Sequence, residues 1–124
     1  MSEQLPEMAT RVITREQLAA MYPTPQPIQP EEAAALDRMF AIARTDTGQA
    51  RRVASFLLAW WNAGTCGGFD LTDLWAIDTA IARDMQTVFG LIARVHMYPD
   101  ALGFDGRIEP VMRRWQPQLL GGAI

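Results

Sequence analysis

The chain has 124 residues, 11 basic and 14 acidic, with a net charge of −3 and a pI near 5.0. Every basic residue is Arg and no Lys occurs, which excludes lysine-based covalent catalysis and the lysine of a phosphate-binding loop. At 49% hydrophobic and 20% charged, the chain is too apolar to be disordered throughout, and its length suits one domain. Its acidity argues against a protein that coats nucleic acid non-specifically.

The single Cys66 cannot form an intrachain disulfide. The first residues lack a basic segment followed by an apolar one, so no secretory signal is read there. The longest apolar stretch, residues 53–61, is about half the length needed to span a bilayer. A cytoplasmic protein without membrane contact is expected, with export without a cleaved signal left open.

Residues 1–30 read as an arm. Thr14-Arg15-Glu16-Gln17 has capping-box spacing and predicts a short helix over 15–21. Four prolines between 23 and 30 then favour a semi-rigid polyproline linker. Arg11-Val12-Ile13 could form a short strand, but no partner strand is evident. Residues 31–118 form the expected domain, and 119–124 a flexible tail. Glu31 and Glu32 open its first helix, where acidic groups suit the dipole. Leu36, Met39, Phe40, Ile42 and Ala43 give that helix an apolar side, and Asp46 or Thr47 can cap the next one.

The second helix is predicted over 48–63. Gly48, Arg51, Arg52, Ser55, Ala59 and Asn62 form one narrow polar or small stripe, while Val53, Phe56, Leu57, Leu58, Trp60 and Trp61 cover the rest. A helix apolar over most of its circumference belongs at a centre. Gly64 is the expected left-handed terminator. Asp70 to Trp75 should form a capped helical turn, and Asp78 should cap a long helix over 79–97. There Ile81, Met85, Val88, Ile92 and Val95 oppose Thr79, Arg83, Gln86, Thr87, Gly90 and Arg94. A last helix follows the Gly103 to Gly106 loop, with Pro110 in its first turn and Val111, Met112 and Trp115 facing inward. The fold class is all-α: a compact bundle of four to five helices, with 48–63 central, short loops making successive helices neighbours, and an extended N-terminal arm.

Four groups of residues could carry chemistry. His96, the only His, reads as a polar cap at a helix C-terminus. No zinc-ligand spacing surrounds it, and no nucleophile signature surrounds Cys66. Asp70, Asp73, Asp78 and Asp84 are dense enough for a carboxylate metal or acid–base centre, but capping explains Asp70 and Asp78, and the spacing is not an EF-hand loop. Arg44, Arg51 and Arg52, with Arg38, surround the start of the second helix. There free backbone N–H groups and guanidinium groups could bind an anion or a nucleic-acid phosphate. Trp60, Trp61, Phe69 and Trp75, with Asp70 and Asp73, form an aromatic cluster that could bind a partner.

The run Trp60-Trp61-Asn62-Ala63, then Gly67-Gly68-Phe69-Asp70-Leu71, Asp73-Leu74-Trp75 and Asp78, resembles a family of short bacterial proteins, a domain of unknown function carried in proteobacterial genomes and on plasmids and integrative elements. The resemblance covers roughly 31–97. It implies no activity and transfers no catalytic residue, but it implies an accessory role in mobile-element biology.

The expected function is therefore a non-enzymatic helical interaction or regulatory factor. Its partner would be an unknown protein or a second copy, with no cofactor and no metal. The alternatives are a carboxylate-based metal protein or enzyme, and a nucleic-acid accessory protein using the Arg cluster. Charge is polarised: residues 66–105 carry six Asp against Arg83 and Arg94, giving −4, while the segment from 106 carries three Arg against Glu109, giving +2. This pattern predicts that the arginines serve directed ion pairing.

Overall fold

A computed structural model describes residues 12–17 and 28–120. Among these residues the chain forms no strand and four long α-helices, α1 (Pro30–Ala43), α2 (Gly48–Cys66), α3 (Thr79–Val95) and α4 (Asp105–Trp115), and residues 15–17 are helical too. Short 3-10 turns occupy Leu71–Ala76, Pro99–Leu102 and Pro117–Leu119. The all-α bundle is thus as expected. In the arm, the Gln17 side chain accepts the Thr14 N–H, and the Thr14 hydroxyl accepts the Gln17 N–H, both at 3.0 Å. These are the two bonds of the capping box. Residues 12–17 are exposed, and Val12 and Ile13 are not in a strand. The rest of the predicted arm helix, and most of the linker, lie outside the described residues.

Helix α1 starts with Pro at its first position, where a missing N–H costs nothing. Ala35, Leu36, Met39, Phe40 and Ala43 are buried at helical spacing. This stripe packs against α2, α3 and α4, so α1 shares the centre of the bundle with α2. Helix α2 buries Val53, Ala54, Phe56, Leu57 and Leu58, consistent with its central place. Thr47 caps it by accepting the Ala50 N–H at 2.9 Å. Its end differs from expectation. Asn62 leaves helical geometry, and its Oδ1 accepts the Thr65 N–H at 3.2 Å, restarting a final turn. The terminating glycine is Gly67, which has positive φ (97°) with an extended ψ of 157° rather than a left-handed helical conformation, and not Gly64.

Successive helices are not all neighbours through short loops. Helix α2 begins where α3 begins, with Gln49 bonded to Asp78. It nears its end where α3 ends, with Trp60 Nε1 donating to the Met97 carbonyl at 3.1 Å. The two therefore run in the same sense, and residues 67–78 return along their seam as a crossover. Both pack on α1 but touch each other little.

Helix α3 buries Ile81, Met85, Val88 and Val95 as expected, but Leu91 and Asp84 join them while Ile92 is only half-buried, and the helix ends at Val95 rather than 97. His96 takes a left-handed conformation (φ 54°, ψ 44°), and its Nε2 lies 3.0 Å from the Ala93 carbonyl. It is a C-terminal cap, in agreement with its sequence reading. Helix α4 begins five residues before Pro110, which lies in its interior. The disruption is small because the one lost bond would go to Gly106, an exposed first-turn residue whose carbonyl water can reach. Ile108, Val111 and Met112 are buried, and Trp115 Nε1 donates to the Ala43 carbonyl at 2.7 Å. Leu119 and Leu120 pack against the core.

Candidate docking groove

Ion pairs explain most of the described arginines. Arg38 makes a two-pronged contact with Asp84 at 2.8 and 2.9 Å, and Arg94 binds Glu32. Along α1 the order is acid then base, and along α3 it is also acid then base. Only antiparallel packing matches opposite charges; a parallel α1–α3 pair would bring like charges together. Arg107 meets Asp37 at 2.7 Å and lies over the stacked rings of Phe40 and Phe104, while Arg114 meets Asp46 at 2.9 Å. Arg113 pairs with Glu109 one helical turn away. Directed pairing is the rule for these residues, whereas Arg44 and Arg51 are exposed and make no ion pair among the described residues.

The four aspartates that could have formed a carboxylate centre are engaged separately. Asp84 pairs with Arg38, Asp73 with Arg52 at 3.4 Å, and Asp78 accepts from the Gln49 side chain. Asp70 accepts from the N–H and the hydroxyl of Thr72. The Thr72 hydroxyl, then its N–H, holds the Asp70 carboxyl below the usual aspartate range. Asp70 thus caps its turn as expected. Asp78 occupies the expected cap position, but Gln49 takes its side chain and no cap bond forms. Among the described residues no group of three or more His, Cys, Asp or Glu is placed to hold a metal ion. Burial pushes the Cys66 thiol pKa up, the direction opposite to activation. The three arginines of the predicted anion site likewise divide. Arg52 is turned to Asp73 and the Gly48 carbonyl, leaving Arg44 and Arg51 in solvent.

The aromatic cluster resolves into a groove. Because α2 and α3 barely meet, the crossover fills only part of their seam. Phe69 meets Phe56 edge to face at 5.3 Å between ring centres. Around this pair is a depression of about 380 Å³ walled by Leu71, Leu74, Met85, Gln86 and Phe89. A second, about 250 Å³, continues past Ala59, Trp60 and Ile92. A third, about 460 Å³, reaches His96, Met97 and Tyr98. Each shares walls with the next, so the apolar floor is continuous. Its edges are unusually open: Leu71 is 66% exposed, Phe89 61% and Tyr98 64%.

Of the sequence-selected aromatics, Trp60 and Phe69 line this groove. Trp61, 100° further round α2, packs half-buried against the core and is not in the walls. Trp75, 85% exposed, stands on the crossover beside Leu74 but outside the walls. Leu71, Phe89 and Tyr98 were missed as site residues. Phe89 carried a weak signal, since it flanks the apolar face of α3 next to Gln86 and has no polar role there.

The fold and groove together define a small all-helical domain with an unfilled apolar seam. Among the described residues no helix is long and apolar enough to cross a membrane. The chain belongs to a family of unknown function, DUF7673, which matches residues 33–116. That span runs from the first turn of α1 to the end of α4, extending beyond the 31–97 resemblance at its C-terminal side. No curated protein and no solved structure matches the chain.

Proposed function

We propose that the chain is a helical protein-interaction domain, an accessory or regulatory factor that binds a protein partner in the groove between α2 and α3. The observation that carries this reading is the exposure of Leu71 and Phe89 beside the Phe56–Phe69 pair. Single exposed apolar side chains are ordinary, but a contiguous apolar furrow rimmed by polar groups is a common mark of an interaction surface. In this reading Trp60 and Phe69 contact the partner directly, and Asp70, Asp73 and Trp75 border it on the crossover. A bacterial cytoplasmic setting, with service to a mobile element, belongs to the same proposal. The rival carboxylate reading gains nothing from four aspartates each bound to a different neighbour.

The test compares proteins retained from host-cell lysate by the wild-type chain and by Phe89→Asp, with Arg113→Ala as a control on the opposite chemistry. Loss of specific partners in Phe89→Asp alone, with circular dichroism unchanged, supports the reading. Equal retention by all three proteins overturns it.

A further inference from the structure

The groove is apolar on its floor, and exposed acidic residues lie close to its walls along the chain. Asp70 sits between the wall residues Phe69 and Leu71, Asp78 lies at the start of α3, seven residues before its first wall residue Met85, and Asp100 lies two residues beyond Tyr98 at the other end. All three are exposed and none has an ion-pair partner among the described residues, whereas Asp73 and Asp84 nearby are neutralised by Arg52 and Arg38. The one base close by in sequence, Arg83, is exposed and stands one helical turn before the wall residue Gln86, leaving three acids against one base near the groove. Along α3 the wall extends from residue 85 to residue 96, about 16 Å or three helical turns.

Building on the docking reading above, we propose that the groove binds an amphipathic α-helix of about three turns whose apolar stripe is flanked by basic residues. Three adjoining depressions match anchors on one face of a helix, at spacings such as i, i+4 and i+7. The three exposed acids favour a cationic flank and disfavour an anionic one. A second copy fits less well, because a face-to-face two-fold pair would set acid against acid, either Asp70 and Asp78 against their own equivalents or against Asp100 of the other groove. The chain's own arm fits less well too. Residues 1–30 hold Glu3, Glu7 and Glu16 against Arg11 and Arg15, and residues 12–17 are exposed rather than docked.

The probes are two labelled 14-residue helix-forming peptides with identical Leu stripes, one flanked by Arg and one by Glu. Each is titrated with the full chain by fluorescence anisotropy. At low salt the Arg peptide should bind about tenfold or more tightly than the Glu peptide, and the ratio should shrink as salt screens these acids. Asp70→Asn with Asp78→Asn should reduce the ratio toward one. Both changes are isosteric, and Asn retains capping ability at position 70. Phe89→Asp, or Leu71→Gln if the first variant is misfolded by circular dichroism, should abolish binding of both peptides. Equal affinities that still depend on Phe89 would overturn the basic-partner proposal while leaving the groove as a docking surface. Failure of both peptides to bind the folded chain would overturn the two together. A concentration-dependent dimer broken by Phe89→Asp would assign the groove to a second copy, and tighter binding of both peptides by Leu18→Asp would assign it to the arm. Either result overturns the proposal.

Discussion

Replacing Phe89 by Gln separates the groove from the core. Full burial of a Phe side chain is worth about 1.5–3 kcal/mol relative to exposure. Phe89 keeps 61% of its surface in water, so about two-fifths of that, roughly 1 kcal/mol, is available to lose. Gln is the better helix former by a few tenths of a kcal/mol. The net cost should therefore be about 0.5–1 kcal/mol. Leu57 provides the contrast: it is 0% exposed at the centre of α2, and Leu57→Ala should cost about 2–5 kcal/mol through lost burial and the cavity left behind. Urea denaturation followed by circular dichroism reads both, provided the slope of stability against denaturant is unchanged. A Phe89→Gln loss of 2 kcal/mol or more would mean that the side chain is structural, and the reasoning that reserves it for a partner would fail.

Arg94→Ala should cost about 1–2 kcal/mol, because it leaves the largely buried Glu32 carboxylate with only the Gln29 N–H as a partner among the described residues; an unchanged urea midpoint would show the pair to be inert. His96→Gly should raise stability by about 0.5–1 kcal/mol by removing the left-handed penalty of a side chain at φ 54°, and a lower midpoint would show that the ring contact to Ala93 outweighs it. The Asp70 carboxyl should titrate by NMR below the ordinary aspartate value of 3.8. Its contribution is present above that value and is lost as pH falls through the lower folded value. Thr72→Val should move the midpoint upward, and an unshifted midpoint would contradict the hydroxyl as the main cause.

What the sequence made legible was local. Thr47 and Asp70 announce helix starts because a cap needs only a side-chain oxygen two or three residues from an N–H. Most of the buried face of α3 follows from spacing, although the structure buries Leu91 where spacing favoured Ile92. The remainder depends on partners distant in the chain. Asp78 looks like a cap until Gln49, 29 residues earlier, takes its carboxylate. Asp84 looks like a member of an acidic cluster until Arg38, 46 residues earlier, pairs with it. The parallel sense of α2 and α3, and with it the groove, depends on where a crossover of ordinary loop residues is laid. Trp60 and Trp61 illustrate the limit: periodicity sets them 100° apart, but only the placement of α3 decides that Trp60 faces the furrow. Pro110 misleads for a different reason, since a helix tolerates it where the lost bond lies in an exposed first turn.

The claim that the seam between α2 and α3 is a docking surface is tested most directly by NMR shift mapping of the full chain on addition of the Arg-flanked peptide. Trp115 provides an internal control, because its indole N–H is held by the Ala43 carbonyl away from the groove walls. Shifts are expected at the Trp60 indole N–H and at the amides of Phe69, Leu71 and Phe89, with Trp115 unmoved. Shifts at Trp115 and at the exposed Arg44 and Arg51, with the groove silent, would contradict that claim.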